Sequence, residues 1–422
     1  MQKYDSYKNS GIDWLGDIPS HWEIEKGKWI YNKLERPVLP DYEVVTCFRD
    51  GQVTLRINRR EDGFTNSLKE IGYQGIKKGD LVIHQMDAFA GAIGVSDSEG
   101  KATPVYSVCT SRFGKSNNYY FAYFLRSMAL AGVITSLAKG IRERSTDFRF
   151  NDFASLLYPL PPISEQEAIA AFLNEKCGKI DELVSFKEQQ IALLKERRQV
   201  VIHKAVTKGI NPDVEMKESG IDWIGEIPKH WEVKRLKYVF RILKRIAGQL
   251  GYDVLSITQR GIKVKDITSG EGQLAMDYSK YQYAFKGDFA MNHMDLLTGW
   301  VDISNYNGVI SPDYRVFELL NKNNIDKYFL QLLQDCYRNK TFYAHGQGVS
   351  MLGRWRFPTE NFNNFYFPIP SISEQEAIVS YLDEQTGKID QAIALKTEQI
   401  EKLNAYKQSL INEVVTGKVK VA

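Results

Sequence analysis

Two short stretches gather side chains that can read nucleic acid. "AKGIRERSTDFRF" (138–150) supplies Lys139, Arg142, Arg144 and Arg149 beside Ser145 and Thr146. "HGQGVSMLGRWRF" (345–357) supplies Gln347, Ser350, Arg354 and Arg356. Gly140, Gly346 and Gly348 suit loops at these places. Arginine can read guanine through two parallel hydrogen bonds, glutamine can read adenine, and both can hold a phosphate. Further basic groups are Arg56, Arg59 and Arg60, and later Arg260, Lys263 and Lys265. A solvated charged surface is the competing reading and the usual fate of such runs. Parallel placement in two halves of the chain favours contact with DNA.

Other chemistries lack their residues. Gly114-Lys115-Ser116 resembles the end of a phosphate-binding loop, but Cys109 stands where the first glycine of GxxxxGK[ST] must be. Pro161-Pro162 is followed by Ile163, not by the aromatic residue of an amino-methyltransferase tetrapeptide, and Gly346-x-Gly348 has no strand pattern before it. "NPDVEMK" (211–217) holds the letters of a metal nuclease too close together. His84 and His293 each lie near a Met-Asp pair, one in each half and without a second histidine or a cysteine beside them. No nucleophile triad is visible, so the chain reads as non-catalytic.

The elements that must position the basic clusters follow from two long repeats. "ISEQEAIAAFLNEKCGKID" begins at Ile163 and "ISEQEAIVSYLDEQTGKID" at Ile372, with 13 of 19 positions identical. Both read as helix starts. Ser164 and Ser373 are expected as N-caps, with Glu167 and Glu376 completing capping boxes. An apolar seam follows: Ile180, Val184, Ile191, Leu194, Val201 and Ala205 in the first copy, and Ile389, Ile393, Ile400, Leu403, Leu410 and Val414 in the second. Steps of three, four and seven are those of a coiled coil. Both copies break the seam at matching places, Lys187 with Lys396 and Arg198 with Lys407. Two helices that pack on each other are expected.

Residues 10–24, "SGIDWLGDIPSHWEI", recur at 219–233 as "SGIDWIGEIPKHWEV", 11 of 15 identical. Both repeats have an offset of 209 (10 to 219, 163 to 372), so the chain reads as a tandem duplication. Trp14, Trp22, Trp223 and Trp231 make these straps either packed cores or partner surfaces, with packing favoured. Residues 25–162 and 234–371 are variable. Runs such as "GYQGIKKGDLVIHQMDAFAGAIGVSD" and "YQYAFKGDFAMNHMDLLTGWVDISN" predict strands, and helices are expected near Tyr119–Ala131 and Asp326–Asn339. Shared marks are sparse: Lys78-Gly79-Asp80 with Lys286-Gly287-Asp288, Pro104 and Tyr106 with Pro312 and Tyr314, and Tyr120-Phe121 with Tyr328-Phe329.

These parts assemble into an α+β fold. Two mixed α/β domains are expected, separated by a long antiparallel two-helix coiled coil in a pseudo-two-fold, circular tandem repeat. The expected divisions are 1–162 (strap and first domain), 163–209 (central helix), 210–371 (strap and second domain) and 372–422 (C-terminal helix). The 422 residues allow two to four domains, and 43% apolar content allows real cores. A net charge of +3 permits a nucleic-acid partner only through local surfaces. The opening "MQKYDSYKNSG" has no apolar run, and no stretch approaches a membrane span; no signal peptide, no membrane contact and a cytoplasmic location are expected. Cys47, Cys109, Cys177 and Cys336 form no CxxC, so buried thiols are expected and a zinc site is not.

The strap, the KGD and PxY marks and the "PLPPISEQEAI" entry into a long helix, all in duplicate, resemble the specificity (S) subunits of type I restriction–modification systems. The likeness covers the whole chain in order. It implies two target-recognition domains, each reading half of a bipartite DNA site, and repeated helices that form an antiparallel spacer. It also implies two methyltransferase subunits docked on the chain, with restriction subunits joining them. S-adenosylmethionine, ATP and magnesium would belong to those partners, with no cofactor in this chain. Base-reading residues do not carry over, because recognition domains differ widely in such proteins. Two rival readings differ in class: a stand-alone two-headed DNA-binding regulator, and a protein scaffold.

Overall fold

The computed structural model describes residues 2–59, 70–137, 147–267, 277–348 and 355–421. The chain divides into two compact units, residues 1–187 with 397–422 and residues 188–396. Each unit takes part of both long helices.

In the first unit a four-stranded antiparallel sheet is built from β1 (Tyr31–Leu34), β2 (Leu81–His84), β3 (Ile93–Val95) and β4 (Tyr106–Ser111), in the order β1-β4-β2-β3. Helix α1 (Asn118–Leu130) packs on it, its start capped by the Asn117 side chain. Short antiparallel pairs, Val45–Cys47 with Val53–Leu55 and Gln74–Ile76 with Gly100–Ala102, add a smaller core around Val45, Ile76, Val82 and Val108. Both predicted elements of the "GYQGIKKGDLVIHQMDAFAGAIGVSD" run type, strand and glycine turn, are present there. The KGD mark has a local cause. Gly79 takes φ +91, which favours glycine, and the Asp80 carboxylate accepts from the Lys77 backbone N–H at 2.8 Å while pairing with Arg36.

The second unit holds β5 (Phe240–Leu243), β6 (Phe289–Met291), β7 (Val301–Ile303) and β8 (Arg315–Leu319), ordered β5-β8-β6-β7. A second four-stranded sheet joins Gly261–Val264, Val254–Thr258, Gly308–Ile310 and Gln282–Ala284. Gly287 takes φ +95, and Asp288 accepts from the Phe285 N–H at 2.7 Å and pairs with Arg245. Helix α3 (Asp326–Arg338) buries Tyr328, Phe329, Leu332 and Leu333.

The long helices are α2 (Ile163–Lys208) and α4 (Ile372–Val415). In the first unit Lys407 pairs with Asp181 and Lys187 with Gln399; in the second, Lys396 pairs with Gln190 and Arg198 with Asp390. Numbers fall on one helix as they rise on the other, so the helices run antiparallel within each unit. Ile180, Ile389 and Leu410 are buried, and Val184, Ile191, Leu194, Val201, Ile393, Ile400 and Leu403 are half-buried. An apolar stripe that finds a partner at every turn is what holds helices of this polarity together.

The expected caps are corrected. The helices begin at Ile163 and Ile372, so Ser164 and Ser373 lie inside them. In the second copy Ser371 caps instead: its N–H donates to Glu374 at 3.2 Å and its hydroxyl accepts from the Glu374 N–H at 3.4 Å. The first copy has Pro162 at that place, which offers only its carbonyl, to the Glu165 and Gln166 N–H groups.

The straps are packed. Trp22 and Trp231 are fully buried, while Trp14 and Trp223 are half-buried. Trp22 lies beside Gly417, just past the end of α4, and Trp231 beside Gly209, just past the end of α2. The Tyr-Phe marks serve the same junctions: Tyr120 donates to the Val415 carbonyl at 3.1 Å, and Tyr328 to the Val206 carbonyl at 3.0 Å. All four cysteines are free and buried. No helix among the described residues is long and apolar enough to cross a membrane.

Candidate nucleic-acid interface

In the first unit the turn after Val53–Leu55 carries Arg56 and Arg59. Arg56 is half-buried, its Nε 3.4 Å from Thr46 Oγ1. Arg59 is exposed, pairs with Asp50 at 2.6 Å and lies over the Phe48 ring at 4.3 Å. Both line a cavity of about 640 Å³ with Arg49, His84, Asp87 and Tyr106. Arg49 pairs with Asp87 at 2.9 Å. His84 stands edge-on to Tyr106, with ring centroids 4.6 Å apart. Burial lowers its pKa, outweighing the opposing pull of Asp87, and Nδ1 accepts from the Asp87 N–H at 3.1 Å. Both the burial and the hydrogen bond accepted at Nδ1 favour the neutral ring.

Described residues on either side of the second cluster reach the same edge. The Phe148 N–H donates to the Gln85 carbonyl at 3.0 Å, and the short helix Val133–Ser136 packs on the turn Ala88–Ala90. Arg149 follows Phe148; its side chain pairs with Asp147, and its backbone N–H donates to the Asp152 carboxylate at 3.0 Å at the start of the helix Phe150–Ser155. Lys139, Arg142 and Arg144 lie outside the described residues, as do Arg60, Ser350 and Arg354.

In the second unit Gln347 and Arg356 stand directly opposite each other on a two-stranded ribbon, and both are exposed. Trp355 anchors the ribbon: it stacks on Tyr343 with centroids 5.0 Å apart and its indole N–H donates to the Tyr343 carbonyl. The ribbon docks on residues 293–296, through Leu296 N–H to the Trp355 carbonyl at 3.1 Å and Phe357 N–H to the His293 carbonyl at 2.8 Å. Beneath it Arg315, 4% exposed, donates to the Phe357 carbonyl at 2.9 Å and lies over Phe362. Burial pulls its pKa down to about 10. His293 is pushed down to about 4 by burial and by Arg315 and Arg356. Arg260 is exposed at the turn into Gly261–Val264, Lys263 is exposed on that strand, and Lys265 is half-buried after it. Gln259, next to Arg260, donates to the Thr298 carbonyl at 3.5 Å.

Among the described residues, Arg56 and Arg59 line a cavity with His84 and Asp87, to which Phe148 beside Arg149 is joined through Gln85, and in the second unit the Gln347–Arg356 ribbon docks on residues 293–296, near Thr298, which accepts from Gln259 beside Arg260. Arg49, Arg315 and Trp355 escaped the sequence reading. Each acts through a partner far away in the chain, and only a ribbon-like alternation around Trp355 hinted at the last. Among the described residues no group of three or more His, Cys, Asp or Glu side chains could hold a metal ion.

A model of the type I restriction modification DNA specificity domain matches residues 228–405. The type I restriction enzyme MjaVIII specificity subunit of Methanocaldococcus jannaschii is 29% identical over 96% of this chain and 94% of its own. The type I restriction enzyme EcoBI specificity subunit of Escherichia coli is 23% identical over 62% of this chain and 58% of its own. The fold is similar to that of the HsdS subunit from Thermoanaerobacter tengcongensis, at 14% identity and a TM-score of 0.52, covering 95% of this chain and 98% of that one. A chain from a structural study of the assembly and conformational transition of a type I R-M system gives a TM-score of 0.69 at 14% identity, covering 95% and 99%. Residues 228–405 thus match a type I DNA specificity domain, and the chain is similar over nearly its whole length to type I restriction enzyme specificity subunits.

Proposed function

We propose that the chain reads a bipartite, asymmetric DNA site, one half with each recognition domain. The domains would span 1–162 and 210–371, and the helices 163–209 and 372–422 would set the spacer. The observation that carries this reading is that each unit presents its own set of described base-reading side chains: Arg56 and Arg59 around a cavity in the first, a Gln347–Arg356 ribbon in the second. Different side chains read different bases. The weak net charge leaves part of the phosphate binding to partners. Those partners would be two methyltransferase subunits and, where the system has them, restriction subunits. They would bring S-adenosylmethionine, ATP and magnesium to genomic DNA in the cytoplasm.

The test is exchange of residues 25–162 for those of a relative, with methylation mapped across the host genome. One half-site should change and the other stay. A change in both halves, or in neither, would overturn the two-reader assignment.

A further inference from the structure

The second unit has a groove at the end of α2 that the DNA reading does not use. It encloses about 620 Å³ between the last turns of α2, residues 209–216 and Tyr381 of α4. Val200 and Ile210 are 45% and 42% exposed on its apolar lining, beside half-buried Met216 and Tyr381. Arg197, Lys204 and Lys208 rim it, and Glu226 is the one carboxylate among its described lining residues. Steps of seven and four place the three cations along one face of the helix. Arg198, one residue on, is paired with Asp390, whereas Arg197, Lys204 and Lys208 are exposed and form no ion pair among the described residues.

We infer that this groove docks an acidic, amphipathic helical segment of a partner protein, one per chain. Charge complementarity sets the sign: three uncommitted cations against one carboxylate favour glutamates or aspartates on the occupant. The apolar lining sets the class. A duplex backbone would use the cations but leave Val200 and Ile210 in water, whereas leucine-like side chains would bury them. The stoichiometry comes from the matching positions of the first unit. There Tyr406, Ser409 and Glu413 stand where Arg197, Val200 and Lys204 stand here, and Asp17 replaces Glu226. Glu413 accepts from Ser409 Oγ at 3.1 Å. That surface keeps an aliphatic residue, Val419, where Ile210 stands here, but has no cation at the positions of Arg197, Lys204 and Lys208 and no aliphatic residue at that of Val200, so it is not an equivalent place.

The full-length chain can be titrated, by fluorescence anisotropy, into a labelled synthetic helix with leucines on one face and glutamates spaced by seven and four. The same helix with lysines for glutamates and a duplex of random sequence serve as competitors. One acidic helix should bind per chain and the lysine helix should not compete. Lys204→Glu with Lys208→Glu should weaken binding about tenfold or more, with an unchanged thermal midpoint. Val200→Asp, which leaves the cations in place, should weaken it too. Equal binding of both helices, or no loss in either variant, would overturn the proposal. Competition by the duplex, with loss in the charge variant and none in Val200→Asp, would make the groove a nucleic-acid surface instead.

Discussion

Lys187 Nζ donates to Gln399 Oε1 at 2.7 Å where the apolar seam of α2 is broken. The matching pair, Lys396 with Gln190, fills the corresponding break of α4. Asp181 with Lys407 and Arg198 with Asp390 complete the set. Every interruption of the seam thus meets a polar partner on the facing helix. Apolar residues supply the attraction, and the polar layers penalise any other register.

Reversing one charge of such a layer tests this. Asp181→Lys should put two cations together and lower stability by about 0.5–1 kcal/mol, since the pair is partly exposed. Adding Lys407→Asp should restore most of the loss. Urea unfolding of the two single variants and the double variant gives the coupling directly. Additive losses would mean that the pair does not set the register.

Acid should attack the strap before neutral pH does. Burial disfavours the Glu374 carboxylate, yet hydrogen bonds from Trp231, Ser371 and His230 outweigh it and hold the pKa down to about 2 from a usual 4.5. A depressed carboxylate contributes stability that is complete above about 4.5 and is lost as pH falls towards 2. Glu374→Gln should therefore be less stable than the parent at pH 7, and the gap should close between pH 4.5 and 2. Thermal midpoints across that range decide it; a constant gap would assign the loss to packing alone.

Single substitutions should separate the two readers. Arg356→Ala or Gln347→Ala should relax one half-site only, and Arg59→Ala the other, each by about 1–3 kcal/mol if a base is read. Arg142→Ala, Arg144→Ala and Arg354→Ala extend the series to the loops. A phosphate contact would instead weaken all sequences alike and lower the salt slope. Binding titrations of the assembled complex against half-site variants measure both. If none of the series matters, the DNA surface lies elsewhere.

The spacer should follow the helices under the proposed function. Four residues inserted into α2 add roughly 6 Å and nearly one turn. Base pairs rise about 3.4 Å, so the preferred spacer should grow by one or two pairs with both half-sites unchanged. Methylation mapping of an active insertion variant reads this out. Unchanged spacing would show that the helices do not act as a ruler.

The sequence by itself determined the long helices, their seam, the strand runs and the helices at Asn118–Leu130 and Asp326–Arg338. These follow from periodicity and turn residues, which act between near neighbours in the chain. Duplicated motifs also marked the straps and the two basic clusters. Tertiary structure decided what those motifs touch. Glu165 and Glu374, which no motif singled out, receive the indole N–H groups of Trp22 and Trp231 at 3.1 and 3.0 Å. Asp80 and Asp288 find Arg36 and Arg245, and Gln347 finds Arg356 across a ribbon. Ser371 displaced Ser373 as cap because the helix starts as soon as the proline exit ends. No local pattern encodes such pairs: their free energy arises only when burial and backbone pairing bring distant residues within hydrogen-bond reach.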